Sequence, residues 1–216
     1  MYDALVLTLG FEPGPLMRAL ASTPLRHNGL VVVLTPEFKD ERSERAFLDF
    51  KRIATMMFKG EELEVKFKRY FIPLRPISKG VQVIRSIFNE IKDKNVSISL
   101  TGSMRALVIA TFIAYLTTSW TKEPKIHVYL EGRGEHIEIP QVRRVLELAV
   151  TDVKQEILNA LIDKPKTITE LSLELGKDRS VIYRHISWLE SRGLINRRGK
   201  YIEITELGKM LALPKK

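Results

Sequence analysis

The sequence predicts an α/β domain, a mainly parallel sheet with helices on both faces, followed by a smaller α+β domain of the winged helix–turn–helix kind. Three observations predict it. Continuous apolar runs of strand length alternate with helix-period segments over residues 1 to about 130, the pattern of a parallel sheet with crossover helices. The last third reads, in order, as helix, helix, turn, helix and basic hairpin. A chain of 216 residues with 44% hydrophobic content is long and apolar enough for two modest cores. The boundaries fall at 1–139 for the first domain, 140–150 for a connector and 151–216 for the second domain.

In the first domain Ala4 to Leu9 and Leu30 to Leu34 are buried-strand signals, and Pro15 to Ser22 lies between them as a short helix. Glu41 to Lys59 is a longer helix with a charged outer face, and Leu63 to Ile72 alternates as a half-exposed strand does. Ser78 to Lys92 places Ile84, Ile87, Phe88 and Ile91 on one helical face. Val96 to Leu100 is a strand, Ser103 to Leu116 a helix and Lys125 to Leu130 a strand. After the turn Glu131 to Glu135, His136 to Ile139 adds an edge strand. The connector carries Val142, Val145, Leu146 and Ala149 at helical spacing, which marks a packed segment and not a loose tether.

In the second domain Thr151 to Asp163 is a helix with Val153, Ile157, Ala160 and Leu161 on one face, stopped by Pro165. Thr167 and Glu170 have capping-box spacing and open a helix that buries Ile168, Leu171 and Leu175. Gly176 supplies the turn, Asp178 stands at the N-cap of the third helix, and Ile182, Ile186 and Leu189 form that helix's inward stripe. Arg179, Ser180, Tyr183, Arg184 and Ser187 therefore point outward. Gly193 ends the helix, and Leu194 to Ile204 forms a hairpin whose basic tip is Arg197, Arg198, Gly199 and Lys200. Arginine pairs with a guanine edge, while serine, tyrosine and lysine hold phosphates, so Lys177, Arg179, Ser180, Tyr183, Arg184, Ser187, Arg197, Arg198 and Lys200 are the predicted DNA contacts. The same architecture used only for protein contact is the competing reading.

Composition narrows the chemistry. The net charge is +9, of which +4 belongs to the residues from Thr151 onward, so the first domain is basic as well. There is no cysteine, which excludes disulfides, thiol catalysis and cysteine-based zinc sites. His27, His127, His136 and His185 form no pair at ligand spacing, and no metal or cofactor is expected. The N-terminus has no leader pattern, and the apolar run Ala106 to Leu116 is too short to span a bilayer, so a cytoplasmic protein with no membrane partner is expected.

In parallel α/β sheets ligands bind at the carboxyl ends of strands. Two loops stand there: Thr8, Leu9, Gly10, Phe11, Glu12 and Pro13 after the first strand, and Thr101, Gly102, Ser103, Met104 and Arg105 after the fourth. Hydroxyls, free amides and a helix N-terminus make an anion site, and phosphate is the usual anion. Each loop alone reads equally well as ordinary turn chemistry. Neither a dinucleotide fingerprint nor a Walker loop is present. The helix from Met104 to Leu116 has almost no polar face, and two-fold homodimerisation along Leu107 to Leu116 is the favoured explanation over burial beneath the second domain. A two-fold axis there would bring two copies of both loops together around a symmetric polyphosphate ligand.

Thr-Leu-Gly-Phe-Glu-Pro after strand one and Thr-Gly-Ser-Met-Arg-Ala-Leu after strand four, joined to a winged helix, resemble the archaeal CRISPR-associated transcription regulators, in which a CARF (CRISPR-associated Rossmann fold) domain precedes a DNA-binding domain. The resemblance covers essentially the whole chain. It implies a Rossmann-like sensor, a homodimer that binds a cyclic oligoadenylate, with cyclic tetraadenylate as the expected ring, and control of CRISPR antiviral defence genes through promoter DNA. It implies ligand contacts at Thr8, Leu9, Gly10, Phe11 and Glu12 and at Thr101, Gly102, Ser103, Met104 and Arg105. Arg75, Pro76 and Lys79, after the third strand, are further candidates. Many CARF domains carry a second glycine where this chain has Ser103, whose hydroxyl adds a donor. The leading reading is a regulator and not an enzyme. The alternatives are a ring nuclease using Ser103, Thr8 or Lys79, and a constitutive DNA-binding module with a vestigial pocket.

Overall fold

The computed structural model describes residues 1–37, 40–60, 63–130, 135–143 and 151–212. The chain divides into two compact units, Met1–Ile139 and Pro140–Lys216. The turn at Glu131 and most of the expected connector, including Val145, Leu146 and Ala149, lie outside the described residues.

The first unit runs β1 (Tyr2–Thr8), α1 (Gly14–Ala21), β2 (Leu25–Pro36), α2 (Glu41–Gly60), β3 (Val65–Ile72), α3 (Ile77–Asn89), β4 (Val96–Ser99), α4 (Arg105–Thr117), β5 (Lys125–Tyr129) and β6 (His136–Ile139). The strands form one six-stranded sheet in the order β3-β2-β1-β4-β5-β6, parallel except for β6. Side chains alternate across a strand, so Leu5, Leu7, Leu9, Val31 and Val33 share one face and pack with Leu16 and Leu20 of α1 and Phe50, Ala54 and Phe58 of α2. Ala4, Val6, Val32 and Leu34 take the opposite face, the side of α3 and α4, whose buried residues include Ile84, Phe88, Leu107 and Ala114. The chain thus moves from one face of the sheet to the other between β3 and β4. The strand order reverses at the β1–β4 junction, and the crevice of a doubly wound sheet opens there.

Two elements differ from the sequence reading. β2 begins at Leu25, five residues before the apolar run: Leu25 pairs with Tyr2, and after a register shift the ladder to β1 resumes at Leu30. Asn28 takes a left-handed conformation, φ 61°, and its amide donates to Glu64 O at 2.8 Å. α4 begins at Arg105, not Ser103, so residues 101–104 form a true loop in which Gly102 has φ 82°.

The second unit contains α5 (Asp152–Leu161), β7 (Lys166–Thr167), α6 (Ile168–Leu175), α7 (Arg179–Ser191), β8 (Ile195–Arg198), β9 (Tyr201–Ile204) and α8 (Glu206–Leu211). Its small antiparallel sheet has the order β7-β9-β8. Thr167 and Glu170 form the capping box, and Gly176 ends α6 in the left-handed conformation. Asp178 occupies the N-cap of α7, but its side chain makes no capping hydrogen bond. Ile182, Ile186 and Leu189 enter a core with Ile157, Leu161, Leu171, Leu194 and Ile202.

Candidate functional site

The loops after β1 and β4 meet at the β1–β4 junction, and glycine is what lets them meet. A β-carbon on Gly10 would lie 1.9 Å from Gly102 O, and one on Gly102 would lie 2.6 Å from Pro15 Cβ. Both glycines are therefore spent on loop-to-loop packing. Hydroxyls complete the lock. Thr8 Oγ1 donates to Thr101 O at 3.2 Å, Ser103 Oγ donates to Leu9 O at 2.9 Å, and Thr101 Oγ1 accepts from Tyr129 N at 2.8 Å.

These contacts divide the residues read from sequence between holding the loops together and lining a cleft. Thr8, Leu9, Gly10 and Thr101 are buried, so they shape the loops from within and present no side chain to a ligand. The Ser103 hydroxyl proton, expected to serve a phosphate, is committed to Leu9. Arg75, Pro76 and Lys79 lie beyond β3, two strand spacings or about 10 Å from β1, and none of them lines the cleft between the two loops. Arg105 is exposed at the start of α4 and likewise does not line it.

That cleft is open and measures about 490 Å³, lined by Gly10, Phe11, Glu12, Pro15, Arg18, Gly102, Ser103 and Met104. Phe11 and Met104 are 46% and 37% exposed, and the Arg42 guanidinium sits 4.4 Å from the Phe11 ring centroid. The N-termini of α1 and α4 flank the cleft, and neither is capped by a side chain. Among the described residues no acceptor takes the amide protons of Phe11, Glu12, Ser103 or Met104. Unclaimed loop amides beside two helix N-termini favour an anion. Sequence reasoning missed Pro15, Arg18 and Arg42, because they sit in helices and carry no motif.

In the second unit Arg179, Ser180, Tyr183 and Arg184 are exposed on α7, and neither arginine has an ion pair among the described residues. Ser187 is half-buried. The hairpin departs from expectation. Arg197 is not at its tip: it lies in β8, where its Nε is 2.8 Å from Glu190 Oε2, Nη2 donates to Ser187 Oγ at 3.2 Å, and the guanidinium stands 5.0 Å from the Tyr183 ring centroid. The tip is Gly199 and Lys200, with Gly199 at φ 61°. Arg198 pairs with Glu203 at 3.2 Å and Lys177 with Glu156 at 3.3 Å. Burial pushes the His185 imidazole below its ordinary value, and nearby Arg184, Lys154 and Lys177 push it the same way.

No metal-binding group of three or more His, Cys, Asp or Glu occurs among the described residues, and none of their helices is long and apolar enough to cross a membrane.

Residues 3–140 match the family described as the Csa3 CRISPR-associated Rossmann-like domain, and residues 142–214 match the N-terminal domain of the methanogenesis regulatory protein FilR1. No curated protein matches the chain. Among solved structures, the chain aligns with reduced HlyU from Vibrio cholerae at 26% identity over 32% of this chain and 78% of that one, with TM-score 0.28. It aligns with Can2 from Sulfobacillus thermosulfidooxidans, solved with cyclic tetra-adenylate, at 11% identity over 96% of this chain and 62% of that one, with TM-score 0.45. It also aligns with Enterococcus italicus Csm6, solved with cyclic hexa-2′-fluoro-hexa-dAMP, at 10% identity over 88% of this chain and 50% of that one, with TM-score 0.48.

Proposed function

Because the chain belongs to the family of the Csa3 CRISPR-associated Rossmann-like domain, we propose that it is a dimeric transcription regulator that couples a cyclic oligoadenylate to promoter DNA. The observation that carries the proposal is the cleft at the β1–β4 junction, where two interlocked loops leave amides, two helix N-termini and Arg18 facing one opening. Such a lining suits a phosphodiester.

The dimer would form along α4. Its inward side carries Leu107, Ala110, Ala114 and Tyr115. Its outward side carries Ile109, 52% exposed, with Ile113 also exposed and Val108, Phe112 and Leu116 half-buried. After Arg105 the helix has no charged residue, so this outward side favours a second apolar surface. A two-fold axis beside α4 would bring two copies of the Met104 end together, and the paired clefts would then share the two-fold symmetry of a ring of four adenylates.

The match of residues 142–214 to a regulator domain, together with exposed Arg179, Ser180, Tyr183 and Arg184 on α7, supports DNA as the output. In this reading α6 and α7 are the helix–turn–helix and β8–β9 is the wing, with Lys200 at its tip. The ligand acts by binding one dimer geometry more tightly than another, which changes the placement of the two α7 helices. Binding without cleavage is the favoured chemistry, since the hydroxyls of Ser103 and Thr8 are already engaged within the loops.

The test is promoter affinity with and without saturating cyclic tetraadenylate at fixed salt, with ring stoichiometry from calorimetry. A severalfold change in affinity and one ring per dimer are expected. Equal affinities at matched salt would overturn the coupling, and a linear adenylate product would overturn binding without cleavage.

A further inference from the structure

The charges in the cleft are of both signs. Glu12 follows the β1 loop, and Arg18 lies one turn inside α1. Both are exposed, they do not pair with each other, and neither has another ion-pair partner among the described residues. Helical side chains lean toward the N-terminus of their helix, so Arg18 leans over Gly14, four residues earlier on the same face. Gly14 has no side chain in the way, and even a β-carbon there would meet nothing within 4 Å. The guanidinium is thereby free to reach the helix N-terminus and a phosphate placed on it.

Glu12 does not fit a purely anionic ligand. A carboxylate beside a phosphate repels it, and a donor on the ligand that the carboxylate can accept from offsets that repulsion. An RNA-type backbone carries such a donor, the 2′-hydroxyl, next to every 3′-phosphate, whereas a DNA-type backbone has none. We propose that Glu12 and Arg18 form a sugar-reading pair, Arg18 holding a phosphate while Glu12 accepts from the adjacent 2′-hydroxyl, so that the cleft selects ribo- over deoxyribo-type cyclic oligonucleotides. This rests on the cyclic oligoadenylate reading of the same cleft. A site that hydrogen-bonds a ligand hydroxyl rejects analogues without it, because its own polar group is left unpaired.

The test compares the affinities of the full-length protein for cyclic tetraadenylate and its 2′-fluoro counterpart, which keeps the ribo-type pucker and lacks the donor. The unmodified protein is expected to prefer the hydroxylated ring by roughly tenfold to a hundredfold. Glu12→Ala brings the ratio close to one, and Glu12→Gln keeps part of it, since its amide carbonyl still accepts. Arg18→Ala weakens both rings by a common factor and leaves the ratio intact. Equal affinities in the unmodified protein, or a ratio preserved in Glu12→Ala, would overturn the sugar-reading pair alone. No binding of either ring would overturn the ligand reading and the pair with it.

Discussion

Gly10→Ala tests the loop lock most directly. Its new β-carbon would lie 1.9 Å from Gly102 O, 2.9 Å from Gly102 C and 3.1 Å from Ser103 Cα, all backbone atoms that no rotamer change can move. Normal carbon–oxygen separation is about 3.3 Å, so the loops must separate by more than about 1 Å. Overpacking of this kind costs about 1–3 kcal/mol. Separation also strains the Thr8–Thr101 and Ser103–Leu9 hydrogen bonds, each contributing about 1 kcal/mol. The expected destabilisation is therefore about 2–4 kcal/mol. Gly14→Ala, which meets nothing within 4 Å, serves as the control and should change stability by less than about 1 kcal/mol. The assay uses the two tryptophans, Trp120 in the first unit and Trp188 in the second, so that urea unfolding in a Trp188→Phe background reports the first unit alone. A Gly10→Ala protein as stable as the Gly14→Ala control would refute the lock.

Three further outcomes are expected. Ile109→Asp places a charge at the centre of the apolar outward side of α4 and should convert the proposed dimer to a monomer in sedimentation; a dimer that persists would place the interface elsewhere. Arg184→Ala should weaken promoter binding and lower the salt slope by about 0.9 for each phosphate that is no longer neutralised, whereas Glu190→Gln releases Arg197 and should raise both; unchanged values would take these residues out of the interface. Burial holds His127 below its ordinary value of 6.5, partly opposed by Glu138, and its Nδ1 is buried without a hydrogen-bond partner. The unfolded chain then takes up the proton first, so stability is full above the unfolded value and is lost as pH falls from about 6.5 through the folded value. His127→Asn should flatten that fall in urea titrations read at Trp120; an identical pH profile would show that His127 does not carry it.

The strands and helices were largely legible because their periods are written in apolar residues. Ile84, Ile87 and Phe88 give α3, and Ile182, Ile186 and Leu189 give α7. Polar residues inside strands were not legible: Arg26, His27 and Asn28 hide the first third of β2, and Lys166–Thr167 is a strand only because β9 runs beside it. The meeting of the two loops that form the candidate site was legible, but the division of labour within them was not. Gly10 and Gly102 look like residues that let a phosphate approach, yet the atoms they approach belong to the protein, and no sequence pattern distinguishes those two uses of a missing β-carbon. The same logic hid the partners of Arg197, whose basic side chain reads as a free cation until Glu190 and Ser187 are found across the fold. The consequence is mechanistic. If the glycines and hydroxyls hold the loops to each other, then Phe11, Glu12, Arg18 and Met104 are left to face the ligand, and their spacing is fixed by a lock that links β1, β4 and β5 through Thr8, Thr101 and Tyr129. Met104 also stands at the N-cap position of α4, the helix proposed to meet its symmetry mate, so a ligand that displaces Met104 would push directly on that proposed interface. The shortest route from ligand to subunit geometry then runs through the start of α4.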